Sequence, residues 1–297
     1  TNPYLYLYDG TNPVNESAED AAEAEWAGGD IFAISSNGTG WLVSGMGSGV
    51  LNPHAVVPGR HGPSTTNHLS LGFFDGNKFT DYSTSLPEQM DGILYANAFN
   101  GSSWLVGGGY LSRGVLFLFD GRNFLDLSSV IKRSVPSFSS VQSIAWNGHY
   151  WMIGGIGFLA EYDGSHFLDL THSLYAAFSP IVALRTLQSV NALTWNGTVW
   201  LLGGGEPVAV NVVSSAPWLA MYNSSKFTDL TTQLPSYATL ANSSSSVLTI
   251  SYSYYSRYWM IGGYSDRNHG MLLTYQGEQV QDLSNLTGDM SYVNWVD

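Results

Sequence analysis

Short apolar runs alternate with polar turns along nearly the whole chain, and the runs repeat. One begins on tryptophan and ends in glycines: WLVSGMGSG from Trp41, WLVGGGY from Trp104, WMIGGIG from Trp151, WLLGGG from Trp200 and WMIGGY from Trp259. The other is an apolar run, a tight turn and a short acidic run: LGFFDGNKFTDY, LFLFDGRNFLDL, LAEYDGSHFLDL, LAMYNSSKFTDL and LLTYQGEQVQDL. Apolar runs this short, bounded by Gly, Asn and Asp, predict β-strands rather than helices. Self-similarity at a period of about fifty residues predicts a repeat architecture built from one supersecondary unit.

Residues 141–174 show that unit most clearly. VQSIAWNG predicts a strand A ending at Asn147-Gly148, a dipeptide suited to a type I′ turn with positive φ at both residues. HYWMIGG is the returning strand B. FLAEYDG is strand C, and SHFLDL is strand D after a second tight turn at Asp163-Gly164. A four-stranded antiparallel meander is the blade of a propeller. Blade 1 takes 30–49 and 67–86, blade 2 takes 92–131, blade 4 takes 189–205 and 217–234, and blade 5 takes 245–287.

At the ends, MSYVNWVD (290–297) matches a strand A, PYLYLYDG (3–10) a strand C, and residues 11–16 a poor strand D. The expected fold is therefore all-β: a six-bladed β-propeller of four-stranded antiparallel blades, one domain over 1–297. Its last blade is closed by the N- and C-terminal strands and lacks strand B. Continuation of the chain beyond Asp297, a three-stranded sixth blade, or a strand from another chain would each account for that gap. Residues 17–27, SAEDAAEAEWA, break the pattern; Ser17 with Asp20 can form a capping box, which predicts a short helical linker.

Spacings between the five tryptophans are 63, 47, 49 and 59 residues. The excess falls between strands B and C and between blades, connections that emerge on one face. Variable loops on a rigid scaffold are where binding usually resides.

The order glycine pair, Tyr/Phe-Asp, then an aromatic and a polar strand, clearest in YWMIGG…LAEYDGSHFLDL, resembles the kelch-type repeat over five copies. It departs at strand D, where kelch repeats place Trp and this chain has Phe79, Phe124, Phe167, Phe227 and Val280. The WNG-x-x-W form and the many sequons resemble surface propellers of thermoacidophilic archaea. These resemblances imply a binding scaffold; no catalytic residue carries over from them.

Composition narrows the function. Only 11% of residues are charged and the net charge is -13, from 10 basic and 23 acidic residues. Such a surface repels phosphate backbones, which argues against nucleic acid as partner. With no cysteine, a disulfide framework, a thiolate metal site and a Cys nucleophile are excluded. No apolar run reaches the ~20 residues of a membrane helix. The opening TNPYLYLYDG has no leader-like pattern, as expected of a mature or trimmed chain. The sequence has no GxSxG elbow and no phosphate-cradling glycine motif.

The repeated tryptophans read as packing between blades rather than as a sugar-binding ring. The recurring acids at strand D (Asp81, Asp126, Asp169, Asp229, Asp282) and at turns (Asp9, Asp75, Asp120, Asp163) read as Asx-turn residues. N-x-S/T sequons stand at Asn15, Asn37, Asn100, Asn196, Asn223, Asn242 and Asn285 and are candidate glycosylation sites on an exported chain. Asp30, Asp91 and Asp289 each precede a strand A without recurring in every blade, and are a candidate oxygen-ligand set for Ca²⁺. With Glu88 or Glu206 the same acids are the one set able to serve a glycosidase. His54, Arg60, His61 and His68 mark the long loop 44–68 as a candidate ligand-binding loop, while His166 and His172 read as exposed.

Together these features predict a non-enzymatic, extracellular, glycosylated propeller at the cell surface or on a filament, binding other surface proteins, glycans or copies of itself. A lectin or glycoside hydrolase using the long-loop face, and a filament subunit assembling by strand complementation, are the alternatives.

Overall fold

Each Trp-to-glycine run forms a strand, and each is the second of four in an antiparallel sheet. A computed structural model describes residues 6–8, 13–15, 29–48, 67–110, 112–178, 189–205, 216–235, 245–265, 269–276, 279–286 and 293. The chain divides into two compact units, Thr1–Ser129 and Val130–Asp297.

The first unit opens with a hairpin of β1 (Tyr6–Tyr8) and β2 (Pro13–Asn15). Blade 1 is β3 (Asp30–Ser36), β4 (Trp41–Ser48), β5 (Asn67–Phe74) and β6 (Phe79–Asp81). Blade 2 is β7 (Ile93–Phe99), β8 (Trp104–Tyr110), β9 (Arg113–Phe119) and β10 (Phe124–Asp126). Helix α1 (Ser128–Ser134) carries the chain across the division.

In the second unit, blade 3 is β11 (Val141–Trp146), β12 (Trp151–Gly155), β13 (Phe158–Tyr162) and β14 (Phe167–Asp169), followed by helix α2 (Thr171–Ala176). Blade 4 is β15 (Ser189–Trp195), β16 (Trp200–Gly205), β17 (Trp218–Tyr222) and β18 (Phe227–Asp229). Blade 5 is β19 (Ser246–Ser253), β20 (Tyr258–Ser265), β21 (His269–Gln276) and β22 (Gln279–Asp282). One pair, Gly205 with Ser246, joins blades 4 and 5 into an eight-stranded sheet.

The ladder register explains the recurring side chains. Trp151 lies opposite Trp146 on one side and Tyr162 on the other, and Tyr162 lies opposite Phe167. The rings follow: Trp146–Trp151 at 4.6 Å, Trp151–Tyr162 stacked at 5.7 Å, Tyr162–Phe167 stacked at 4.2 Å. Blade 2 repeats the row with Phe99, Trp104, Phe119 and Phe124, at 4.6, 5.9 and 4.4 Å. Blades 2 and 3 thus close their turn ends with a full cross-strand aromatic row, and blade 4 carries the Trp195–Trp200 and Tyr222–Phe227 pairs of the same row, the sheet's unit of side-chain stabilisation. The tryptophans pack mainly inside their own blade; contacts to the neighbour, such as Trp104 on Phe73 and Trp200 on Tyr150, are additional. Trp104, Trp151, Trp200 and Trp259 are buried, so they present no sugar-binding ring.

A second device recurs where strand D ends. The Oδ1 atoms of Asp81, Asp126, Asp169, Asp229 and Asp282 accept the backbone N–H two residues on, at 2.8–2.9 Å. That residue is always Ser or Thr, and its hydroxyl accepts a strand C N–H: Leu71, Leu116, Leu159, Leu219 and Leu272 donate at 3.0–3.2 Å. The acid is the Asx-turn expected from its recurrence, and the hydroxyl ties the turn back to the sheet.

Spacing between blades of the second unit is set by a valine meeting a glycine. A Cβ on Gly154 would lie 2.6 Å from Val190 Cγ1, and one on Gly203 2.5 Å from Val247 Cγ1. Val293 meets Gly262 in the same way, at 2.8 Å, and its N–H donates to the Gly263 carbonyl at 2.8 Å. Strand A of each of the five blades also carries a bulge at one position, so that Phe32, Tyr95, Gln142, Asn191 and Leu248 are each one residue more than the partner strand supplies. Phe32 and Tyr95, from blades 1 and 2, meet edge-on at 5.2 Å.

The type I′ expectation at Asn147-Gly148 is corrected. Among the described non-glycine residues only Ser224 and Arg257 have positive φ, so Asn147 does not. Gly148 alone takes it, at 97°, as the first central residue of the turn, the position a type II′ turn gives to glycine. Asn147 stays at the strand end because its carboxamide is engaged in holding the turn. The linker 17–27 and, apart from Val293, the strand 290–297 lie outside the described residues.

Candidate functional site

In blades 1 to 4 both the A–B and the C–D turn are made by one Asx motif. In four A–B or C–D turns it starts on a sequon asparagine. Asn196 Oδ1 accepts Thr198 N–H at 2.9 Å, Thr198 Oγ1–H at 2.9 Å and Val199 N–H at 2.8 Å. Asn37 does the same with Thr39 and Gly40, Asn100 with Ser102 and Ser103, and Asn223 with Ser225 and Lys226. With Oδ1 so occupied, Nδ2 of all four points away from the turn's own hydrogen bonds.

The hydroxyl is not required by the turn. Asn147 holds its turn through His149 N–H and Tyr150 N–H alone, both at 2.9 Å. Asp75 and Asp120 hold theirs with Asn77 and Arg122 at the third position. Yet four of the five asparagine-led turns carry Ser or Thr there, against one of three led by aspartate, Asp163 with Ser165. Turn geometry accounts for the asparagine; it does not account for the hydroxyl. The turn aspartates are held ionised by the N–H groups they accept: those of Lys78 and Asn77 lower Asp75, those of Asn123 and Arg122 lower Asp120, and those of His166 and Ser165 bring Asp163 to about 2.

A second group lies between blades 3 and 4. The row holding Glu161 of β13 contains Phe73, Leu118, Met221 and Thr274 in the other blades. Glu161 is half-buried, and its Oε1 is sealed from solvent. Burial raises its pKa, while the Tyr150 and Tyr222 hydroxyls facing it draw the value back down. Trp200 Nε1–H donates to Tyr150 Oη at 3.1 Å, and Tyr150 Oη meets Ser224 Oγ at 3.2 Å. Burial, then the Glu161 charge, pushes the Tyr222 hydroxyl upward. The chemistry available here is one carboxyl that keeps its proton to higher pH than usual, ringed by neutral donors. Sequence reasoning missed this group, since its members come from separate repeats; a lone acid in an otherwise uncharged row was the available signal.

The remaining sequence candidates are placed as follows. Asp30 is exposed at the start of β3, and Asp91 bridges to His68. His68 is buried in β5 rather than in a loop. Asn15 lies in β2 opposite Tyr6, and Asn285 is exposed in the 3₁₀ turn Ser284–Leu286. His166 and His172 are exposed, and Glu88 pairs with Arg113. Asp9, Asp289, His54, Arg60, His61, Glu206 and Asn242 lie outside the described residues. Among the described residues, no three His, Asp or Glu side chains are grouped to hold a metal ion, and no helix is long and apolar enough to cross a membrane.

No protein-family model and no curated protein matches the chain. Solved structures of β-propeller proteins do. A chain of the mitotic checkpoint complex is 15% identical with a TM-score of 0.50, over 94% of this chain and 73% of that one. YCF48 bound to D1 peptide is 10% identical with a TM-score of 0.49, over 86% of this chain and 67% of that one. Trypanosoma rangeli sialidase is 7% identical with a TM-score of 0.48; the match takes in 95% of this chain and 51% of the sialidase, about half its length. The kelch-type and archaeal resemblances rest on the sequence motifs alone. At such low identity the likeness concerns fold and not activity: an all-β chain of four-stranded antiparallel sheets consistent with a β-propeller.

Proposed function

We propose that the chain is a glycosylated, extracellular, kelch-like β-propeller of six blades in a single domain, without enzymatic activity. It serves as a cell-surface or filament-associated module that binds other surface proteins or glycans. The observation that carries this reading is the hydroxyl of the asparagine-led turns, which the turn does not need and N-glycosylation does. A charged fraction of 11% supports it as well, since hydration then rests on amides, hydroxyls and attached sugar. Val293, seated on Gly262 as Val190 is on Gly154, supports a further strand A after blade 5.

Intact-mass and glycopeptide analysis of the native chain tests the reading. The expected result is a mass above the 32.2 kDa of the polypeptide, with sugar at Asn37, Asn100, Asn196 and Asn223. A bare polypeptide mass from an N-glycosylating host overturns it.

A further inference from the structure

Blade 5 builds its A–B turn differently from blades 1 to 4. Where they turn on Asn-Gly, at Asn37, Asn100, Asn147 and Asn196, it runs Ser253-Tyr254-Tyr255-Ser256-Arg257. The longer turn closes by Arg257 N–H to the Ser253 carbonyl at 2.7 Å and holds Arg257 at φ 57°, a left-handed conformation that a non-glycine residue adopts at a cost. It displays two aromatic rings: Tyr255 is 99% exposed and Tyr254 67%. Tyr254 is nevertheless fixed. It meets Tyr252 edge-on at 5.0 Å, and its hydroxyl donates to the Trp195 carbonyl at 3.2 Å. Trp195 is the residue immediately before the sequon Asn196. A strained turn thus displays two exposed tyrosine rings and anchors one of them, Tyr254, beside the base of a sequon.

We infer that the Tyr254–Tyr255 turn is the docking platform for an N-linked glycan on Asn196. The inference rests on the glycoprotein reading above and names what one sugar chain does. The apolar C–H face of a neutral hexose or N-acetylhexosamine is matched by a tyrosine ring, whose large flat area is costly to leave in water and whose hydroxyl bonds sugar oxygens. The occupant is the chain's own sugar because its attachment atom, Asn196 Nδ2, is held one residue from the tyrosine anchor. Attachment makes the encounter intramolecular, so a small patch suffices where a free glycan would need a larger one. The docked glycan covers the seam between the A–B turns of blades 4 and 5.

The test compares glycosylated wild type with Thr198→Ala. That variant destroys the sequon but keeps the Asn196 turn, since Asn147 holds an equivalent turn without a third-position hydroxyl. Tyrosine nitration is mapped by peptide mass spectrometry, with the 55%-exposed Tyr110 as internal reference. Nitration at Tyr255 is expected to be slower in wild type by roughly threefold or more, as shielding of an aromatic face requires, with no change at Tyr110. Tyr254→Ala/Tyr255→Ala supplies a second readout: it should lower Tm by about 2 °C in the glycosylated background and not in Thr198→Ala, a coupling that only contact produces. Equal nitration and no coupling with Asn196 occupied overturn the inference. A bare Asn196 beside occupied Asn37, Asn100 or Asn223 also overturns it and leaves the glycoprotein reading standing; a chain bare at every sequon removes both.

Discussion

Two seams in the second unit are fastened at the same end by tyrosine, in opposite directions and with different chemistry. Between blades 3 and 4, Tyr150 of the earlier blade takes the Trp200 indole N–H and meets Ser224, over a half-buried Glu161. Between blades 4 and 5, Tyr254 of the later blade donates back to a backbone carbonyl, with no ionisable partner at that bond. The first fastening is half-buried and sits over a carboxyl whose pKa is raised by burial; the second lies on an exposed turn. The shared blade frame therefore fixes where neighbours meet and leaves open what fastens them. A repeat protein can in this way tune each seam separately, because neighbouring repeats are its main interaction partners.

The largest effect on either seam is expected from Trp200→Ala. The side chain is fully buried in the core with Met152, Leu202 and Trp218, and its loss also frees Tyr150. Urea denaturation should show a loss of about 3–5 kcal/mol. Tyr254→Phe, which cuts the other fastening, should cost under ~1.5 kcal/mol.

A smaller effect separates the two turn designs. Gly197 has φ 96°, and a Cβ there would meet nothing within 4 Å, so Gly197→Ala is penalised by backbone conformation alone, by roughly 1–2 kcal/mol. Arg257→Gly removes the corresponding strain in blade 5 and should raise stability by up to ~1 kcal/mol, read from the same denaturation curves.

The smallest effect is a pH dependence at the first seam. Glu161 binds its proton more tightly folded than unfolded, so its contribution is greatest in acid and falls as pH rises through its raised folded pKa. Glu161→Gln should therefore be more stable than wild type at pH 7, and the gap should close as pH falls toward the ordinary glutamate range. Tm measured across that range for both chains checks the sign; a gap that widens in acid contradicts it. Asp163 acts oppositely: its stabilisation, present above the usual carboxylate range, is lost as pH falls toward about 2.

Much of this frame was readable from residue order. Strand limits followed from apolar runs ended by Asn-Gly or Asp-Gly, and the strand D aspartates read as turn formers because a local Asx bond needs only the next few residues. Features that depend on register were not readable. A bulge appears only when Val141 and Ser143 are seen opposite adjacent glycines, Gly155 and Gly154. The type I′ expectation failed because asparagine has two ways to make a turn, by backbone or by carboxamide, and the dipeptide does not distinguish them. His68 read as a loop residue because the apolar run of β5 starts after it, while its place is set by pairing with Gly47. The Glu161 group joins residues up to 74 positions apart, Tyr150 to Ser224, which no local pattern records.

The strand A bulges have a consequence for how such a chain can change. A residue outside the ladder register can differ between repeats without shifting the strand pairing on either side of it. The five positions hold Phe32, Tyr95, Gln142, Asn191 and Leu248, spanning aromatic, amide and aliphatic chemistry on one backbone geometry. Side chains at these positions are engaged, Phe32 against Tyr95, Gln142 with Ser140 and Asn191 with Ser246, so what differs from repeat to repeat is the chemistry of that contact while the strand pairing stays the same.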